Sequence, residues 1–555
     1  MSDAAAAPPF YKRWRKELVI VGALLITLLT PFLLKPAQST ASSKADRRLV
    51  ILTPHPERLR SEFGQAFVRH WKEKTGQTVA MDWRVPGGTS EIAVMLKSEY
   101  SAAFQQHWTH QSGQEWTSAI AQNFMSAKTP ADDPARKAFL TSAVGIGVDI
   151  FFGGGAYDLQ MQAEAGTLVA ENNPGTGIAA LRKKHPVWFG DEGIPEMVSG
   201  EPFRDSQDRW VACCLSSFGI VYNRDVLKRL GIEKEPSQWR DLADPRLYGQ
   251  LALADPGRSA TATKAFEMLI QQEMQEALLR LTQNPGNLKT PAEIEAAAIR
   301  EGWRNGLNLI QRISANARYF SDSSSKIPLD VARGDAAAGM CIDYYGRSTE
   351  EETRRADGSS RVRFIMPVGG SSVSVDPIGM FRGAPDPELA TAFIEFVLSD
   401  AGQKLWSYRA GTPGGPARSA LRRLAARQNF YTPENLAHMS DPDEMPYEKA
   451  KAFTYHPEWT AAAFSTLRFL IRVMCVDTHS EQKAAWHSLI QSGQPPRATE
   501  AFDELNSVRY ETALGSITKV VRSRDKVAET RLARTLGEAF RNNYKLAHHL
   551  AGKGE

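Results

Sequence analysis

The stretch RRLVILTPHPERLRSEFGQAFVRHWKEKTGQTVAMDWRVPGG, beginning at Arg47, constrains the fold more than any other part of the chain. LVILT is a short apolar run of strand type, and Pro54 and Pro56 mark a turn after it. From Glu57 to Lys72 the apolar residues Leu59, Phe63, Phe67 and Trp71 recur every four positions, which predicts one buried face of a helix. Gly76 is the residue type that ends helices, and TVAMDWRV then reads as a second strand closed by Pro86, Gly87 and Gly88. Strand, helix and strand in this order form a unit that builds parallel sheets, with ligand sites at the strand ends.

A third strand, VGIGVDIFF, stops in three glycines, Gly153, Gly154 and Gly155. Glycine gives up the most backbone entropy on folding, so a triplet needs a reason. One reason is a sharp turn from strand to helix. The other is a concavity of successive peptide N–H groups that holds an anion. No Lys-Ser/Thr pair follows, so a nucleotide P-loop is not supported.

At 555 residues the chain exceeds one ordinary core and predicts two or more domains. Its 67 basic and 63 acidic residues nearly cancel, which gives no case for nucleic acid. Much of the excess lies in YKRWRKE, just before the uncharged LVIVGALLITLLTPFLL, residues 18–34. A basic segment of 1–17 followed by this run predicts a cytoplasmic start, then a membrane anchor or a signal segment, with residues 35–45 as linker. Cys213, Cys214, Cys341 and Cys475 lack CxxC or CxxH spacing, so zinc is disfavoured and burial is the reading for the vicinal pair.

Residues 99–137, with FQQHWTHQSGQEW, are polar and aromatic and read as an insertion. His107 and His110 there are read as surface or packing residues. LALADP is a strand, and Ser259 and Thr261 sit at the start of the helix after it, behind Arg258. Hydroxyls there cap free N–H groups, while a helix start also favours an anion and Arg258 offers a forked donor. GWRNGLNLIQRISANARYF reads as a helix, and CIDYYGRS as a strand followed by an aromatic loop. PDPELATAFIEFVLSDAGQKLW is amphipathic, with Leu389, Phe393, Phe396 and Val397 on one stripe. AAFSTLRFLIRVM is apolar but broken by Arg468 and Arg472, which argues against a second membrane span.

Several of these segments resemble, in order, motifs of the extracellular solute-binding proteins of bacterial ABC importers. EPSQWRDLADPRLYGQLALADP resembles their Trp, Asp-Leu, Tyr-x-Gly and Asp-Pro signature, and the helix ending in Gly402 and Gln403 resembles their late helix. DIFFGGG resembles the strand end of members that bind phosphonates, phosphate esters or ferric iron. The likeness covers roughly residues 48–416. It implies an α/β, two-lobed periplasmic-binding-protein type II fold, here with an N-terminal membrane helix and an extra helical C-terminal region. Lobe one would be residues 46–215, with return segment 376–416, and lobe two 216–375. Residues 417–555 would be the helical extension.

The resemblance also implies a ligand site at the cleft: Thr53 and His55 after the first strand, the three glycines, Ser216 on the first crossing strand, Arg258, Ser259 and Thr261, and Asp343, Tyr344 and Tyr345. In ferric-binding relatives a tyrosine pair and a histidine hold the metal, which would make His55, Tyr344 and Tyr345 the ligands of a transported Fe(III). Those relatives also carry a glutamate where this chain has glycines, which favours an anionic solute over a bare cation, or an iron held together with a synergistic anion. No cofactor is implied, and no catalytic motif is present. The expected role is a monomeric, membrane-tethered protein on the periplasmic side of the inner membrane, passing a small phosphonate, phosphate ester, carboxylate or ferric ligand to an ABC permease. Alternatives are a sensor that signals to a membrane kinase and a periplasmic enzyme on the same fold.

Overall fold

The computed structural model describes residues 45–523 and 525–555; the segment at 18–34 and its flanks lie outside them. The opening unit forms as its pattern predicts. Strand β1 (Arg47–Leu52) is followed by helix α1 (Glu57–Thr75) and strand β2 (Val79–Arg84). β1 pairs in parallel with both β2 and strand β3 (Ile150–Phe152). The apolar stripe of α1, Leu59, Phe63, Phe67 and Trp71, is buried, and Gly76 closes the helix at φ 75°.

Between β2 and β3 lies helix α2 (Thr89–Ser112). The insertion expected from residue 99 therefore starts inside a helix. Its buried side chains, Ile92, Leu96, Tyr100, Phe104 and Trp108, are again four apart, a helical stripe masked by the polar and histidine residues between them. Beyond β3, helix α3 (Ala156–Ala165) starts directly after the glycines.

Strand β4 (Val211–Asn223) is buried along its whole length and carries the chain from one core to the other. Past it come strand β5 (Leu251–Ala254), helix α4 (Ala260–Gln283), helix α5 (Pro291–Ala315), strand β6 (Ala317–Ser321), strand β7 (Ala338–Ile342) and helix α6 (Asp343–Glu352). Two sequence expectations change here. NARYF leaves the helix and becomes β6, which pairs with β5. DYYGRS is the first part of α6 rather than a loop, so both tyrosines sit in a helical first turn. Strand β8 (Val362–Ile365) pairs with β4, and strand β9 (Val373–Phe381) returns antiparallel to both β4 and β3. The order across the joined sheet is β2-β1-β3-β9-β4-β7-β5-β6.

The expected single late helix is two, α7 (Pro387–Leu398) and α8 (Asp400–Ser407), broken at Ser399, whose backbone is extended. Two large apolar clusters divide the described residues. The first gathers β1, β2, β3, the first part of β4, β9, α7 and α8, and it also takes in Leu421, Leu424, Ala426 and Ala450. The second gathers the rest of β4, β5, α4, α5 and β7, and continues from Phe453 to Ala551. The C-terminal region is therefore not one appendage. Its opening stretch packs with the first core, and the remainder, ending in helix α9 (Lys526–Lys553), completes the second. Pro457–Val476 is long and apolar enough to cross a membrane, but 61% of its most apolar window is buried inside this core.

Candidate functional site

The glycine turn resolves into three different jobs. Gly153 has φ 90°, a region that disfavours side chains, and a Cβ placed there would lie 2.3 Å from Cε1 of His55. The glycine thus makes room for an imidazole. Its N–H is spent on the carbonyl of Pro377 at 2.8 Å. Gly155 precedes α3, and its N–H donates to Asp158 Oδ2 at 3.2 Å. Gly154, at φ 105°, has an N–H with no partner among the described residues. An open concavity of three N–H groups is not what forms; one is left.

Thr53 and His55 are buried in the loop after β1. The Thr53 hydroxyl donates to the Phe152 carbonyl at 2.6 Å and accepts from the His55 N–H at 3.0 Å, which ties the ends of β1 and β3 together. The His55 ring packs edge-on against Phe152, centroids 4.7 Å apart, and its Nε2 lies 3.4 Å from Asp376 Oδ2. Burial lowers the imidazole pKa, and the Asp376 carboxylate opposes it only in part.

Asp376 is the centre of the junction, and the sequence reading did not single it out. It lies on β9, where the pairing register with β4 shifts between Asp376 and Pro377. A bulge of this kind re-aims a side chain. Its Oδ1 accepts from the Ser216 hydroxyl at 3.2 Å, and its Oδ2 pairs with Arg423 Nη2. Although it is buried, its pKa is lowered, chiefly by the Arg423 charge.

Arg423 is the second residue that went unrecognised. It stands beside a two-residue strand, β10 (Leu424–Ala425), that pairs with β4 at Leu215 and Cys214, where the chain passes between cores. Only 2% of its side chain is exposed. Nη1 donates to Asp343 Oδ1 at 3.2 Å, Nε donates to Cys214 Sγ at 3.4 Å, and the guanidinium lies 5.5 Å over the Tyr344 ring. The sequence signal was an arginine pair set in the apolar SALRRLAA, which resembles a surface helix until the strand pairing is seen.

Asp343 opens α6 and is fully buried; burial outweighs the charges of Arg423 and Arg347 and pushes its pKa up to about 6. Tyr344 and Tyr345 follow, with ring centroids 5.5 Å apart, and burial raises both phenol pKa values. Asp158, which accepts from the Gly155 N–H, is raised to about 6 by burial, with the Asp376 charge adding to the shift and that hydrogen bond opposing it. Thr53, His55, Gly153, Ser216, Asp343, Tyr344 and Tyr345 are thus linked through Asp376 and Arg423.

The loop at Arg258 is not part of this group. Ser259 spends its hydroxyl capping α4, accepting from Ala262 N–H at 3.1 Å. Arg258 is 69% exposed and sits 4.0 Å from Asp255. Thr261, half-buried in the same turn, makes no side-chain hydrogen bond among the described residues. Arg468 donates to the Pro256 and Gly257 carbonyls, so the C-terminal region braces this loop. All four cysteines are buried and free. No cluster of three His, Cys, Asp or Glu suited to a metal occurs among the described residues.

Two cores are thus joined by the paired strands β4 and β9, with polar side chains meeting between them. Residues 190–435 match the family model described as bacterial extracellular solute-binding protein. An uncharacterized protein of Haemophilus influenzae is 23% identical over 259 residues, 46% of this chain and 60% of its own length. The phosphoglycerate transport regulatory protein PgtC of Salmonella typhimurium is 25% identical over 195 residues, 35% of this chain and 40% of its own length. The matched stretch thus spans 40% to 60% of the length of these curated relatives, less than two thirds. Among solved structures, the periplasmic binding protein AfuA of Actinobacillus pleuropneumoniae, with fructose-6-phosphate bound, is 17% identical, with 69% of this chain and 86% of that chain covered and a TM-score of 0.41. Iron-bound HitA of Pseudomonas aeruginosa is 15% identical, with 76% and 99% covered and a TM-score of 0.43.

Proposed function

We propose that this chain is the extracytoplasmic solute-binding component of an ABC importer and takes a small organic anion, a phosphate ester foremost. The carrying observation is the junction itself. Side chains from both cores converge there, on Asp376 and Arg423, and a partnerless Gly154 N–H stands at the turn into α3. Hinge closure over a solute, followed by presentation of both lobes to a permease, needs no bond-making step. Periplasmic placement, membrane tethering and a monomeric state belong to the same reading. The phosphoglycerate transport relative supports the anion class.

Transported Fe(III) is less well supported by the site. His55 is enclosed against Gly153 and directed at Asp376, and a guanidinium stands beside the tyrosines that would supply phenolates. A second reading, a small diamine, is favoured by the carboxylates of Asp158, Asp343 and Asp376 around the same junction, and a putrescine/cadaverine-binding protein of Pseudomonas aeruginosa is 24% identical over 206 residues. Thermal melting of residues 45–555 with 3-phosphoglycerate, fructose-6-phosphate, putrescine and ferric citrate separates these. The expected outcome is stabilisation by a phosphate ester. Stabilisation by putrescine alone would replace the anion reading, and silence from all four would overturn both.

A further inference from the structure

The stretch from residue 417 to 444 follows the segment expected to complete the first lobe, and its bonds form a pattern of their own. It is fixed to the first core at three places. Glu62, on α1, accepts from the N–H groups of Ala417, Arg418 and Ser419 at 2.7, 2.8 and 3.2 Å. The Gln403 side chain of α8 accepts from Ala426 N–H at 2.7 Å. β10 pairs with β4 at Cys214 and Leu215, directly opposite the point where β9 pairs with the same two residues. The crossing strand β4 thus carries β9 on one side and the short β10 on the other at this point.

From that anchorage charged side chains reach the second core. Arg423 pairs with Asp343, and Arg422 stands 3.7 Å from Glu350 and 3.6 Å from Glu351, all three on α6. Arg422 Nη1 also donates to the Arg347 carbonyl at 3.1 Å. In the reverse direction Arg347, on α6, reaches Asp441 and Glu444, each at 3.1 Å. Arg347, Arg422 and Arg423 are each at least 95% buried as residues. Arg422 holds φ 51°, an uncommon conformation for a long side chain. Strained backbone persists only where the surroundings fix it.

We propose that residues 417–444 are a clasp that holds the two lobes closed without a bound solute, through Arg422 and Arg423 reaching α6 and Arg347 reaching back. In a binding protein whose only interlobe links are crossing strands, closure waits for the ligand. Here the chain supplies its own bridging charges, and solute entry requires the clasp to give way. Such a clasp would act on closure alone, whatever the solute.

The test uses spin labels on Val94→Cys and Leu279→Cys, exposed positions on α2 and α4, in residues 45–555 with no solute added. The four native cysteines are buried and should stay unlabelled. The parent should give one narrow distance. Arg422→Gln with Arg423→Gln should add a longer population, and Arg347→Met should do the same with both strap arginines in place. A broad distribution in the parent, or folded variants that keep the parent's distance, would overturn the clasp. Because no ligand is used, failure here is separate from failure of the melting screen. If the double variant does not fold, Arg347→Met alone decides.

Discussion

The glycine turn at residues 153–155 and the arginine segment at 422–427 meet at the same junction and got there by opposite means. The turn works by lacking side chains: Gly153 leaves space for His55, and two of three amides are spent on Pro377 and Asp158. The arginine segment works by burying long charged side chains, which is costly unless every charge is met. Here they are met, by Asp343, Asp376 and Asp441 around Arg422 and Arg423, and by Asp400 at Arg427. A buried ion pair adds little net stability, yet breaking one leaves an uncompensated charge. On the clasp proposal, the pairing bears less on how stable the protein is than on which arrangement of lobes it keeps.

Asp343 offers the largest test of that difference. Its pKa is raised by burial from the ordinary 3.8 to about 6, against Arg423 and Arg347, with Asp376 adding to the rise. A raised carboxyl favours the folded state fully below about pH 4 and loses that contribution as pH climbs through about 6. At pH 7 the ionised group costs on the order of 3 kcal/mol. Asp343→Asn, which leaves the Arg423–Asp376 pair, should raise the melting temperature at pH 7.5 and match the parent near pH 4. Melting scans across this range check it. A variant less stable at pH 7.5 would mean that the Arg423 charge outweighs burial at this site.

A graded series sharpens the other side of the comparison. Gly153→Ala should cost most, at least about 2 kcal/mol, since it adds a left-handed backbone penalty to a clash with the His55 ring. Gly154→Ala keeps the penalty but meets only the Thr89 methyl at 3.1 Å, so about 1 kcal/mol is expected. Gly155 has φ −122°, which any residue adopts, and a substituent there would face only Asp158 Oδ2 at 3.3 Å. Its alanine variant should be close to neutral. Denaturant titration gives the order, and equal losses at all three would mean that the turn geometry is misread.

Local structure was well written in the sequence. The period-four stripe of α1, the capping glycine and the buried strands all follow from pattern. What escaped depended on contacts between distant residues. Asp376 lies at a register shift on β9, and a lone Asp-Pro in a strand gives no sign of that. Arg423 was hidden because two residues of β10 gain their strand character only by pairing with β4. The stripe of α2 was legible at Ile92, Leu96, Tyr100, Phe104 and Trp108 and was masked by polar neighbours. The anion role given to Arg258 and Ser259 came from local chemistry that fits capping equally well.

That last ambiguity yields the smallest and cleanest test. If the α4 start is only a capped helix end, Ser259→Ala should cost about 1 kcal/mol, since the hydroxyl satisfies the Ala262 N–H. Arg258→Ala, at an exposed position 4.0 Å from its nearest acid, should fall within about 0.5 kcal/mol of the parent. Neither should alter the response to a phosphate ester in the melting screen. Should Arg258→Ala abolish that response while stability is unchanged, the solute would sit over α4 rather than at Gly154 and Tyr344. The buried charges at Arg423 would then serve closure alone, and the comparison between turn and clasp would no longer describe a shared site.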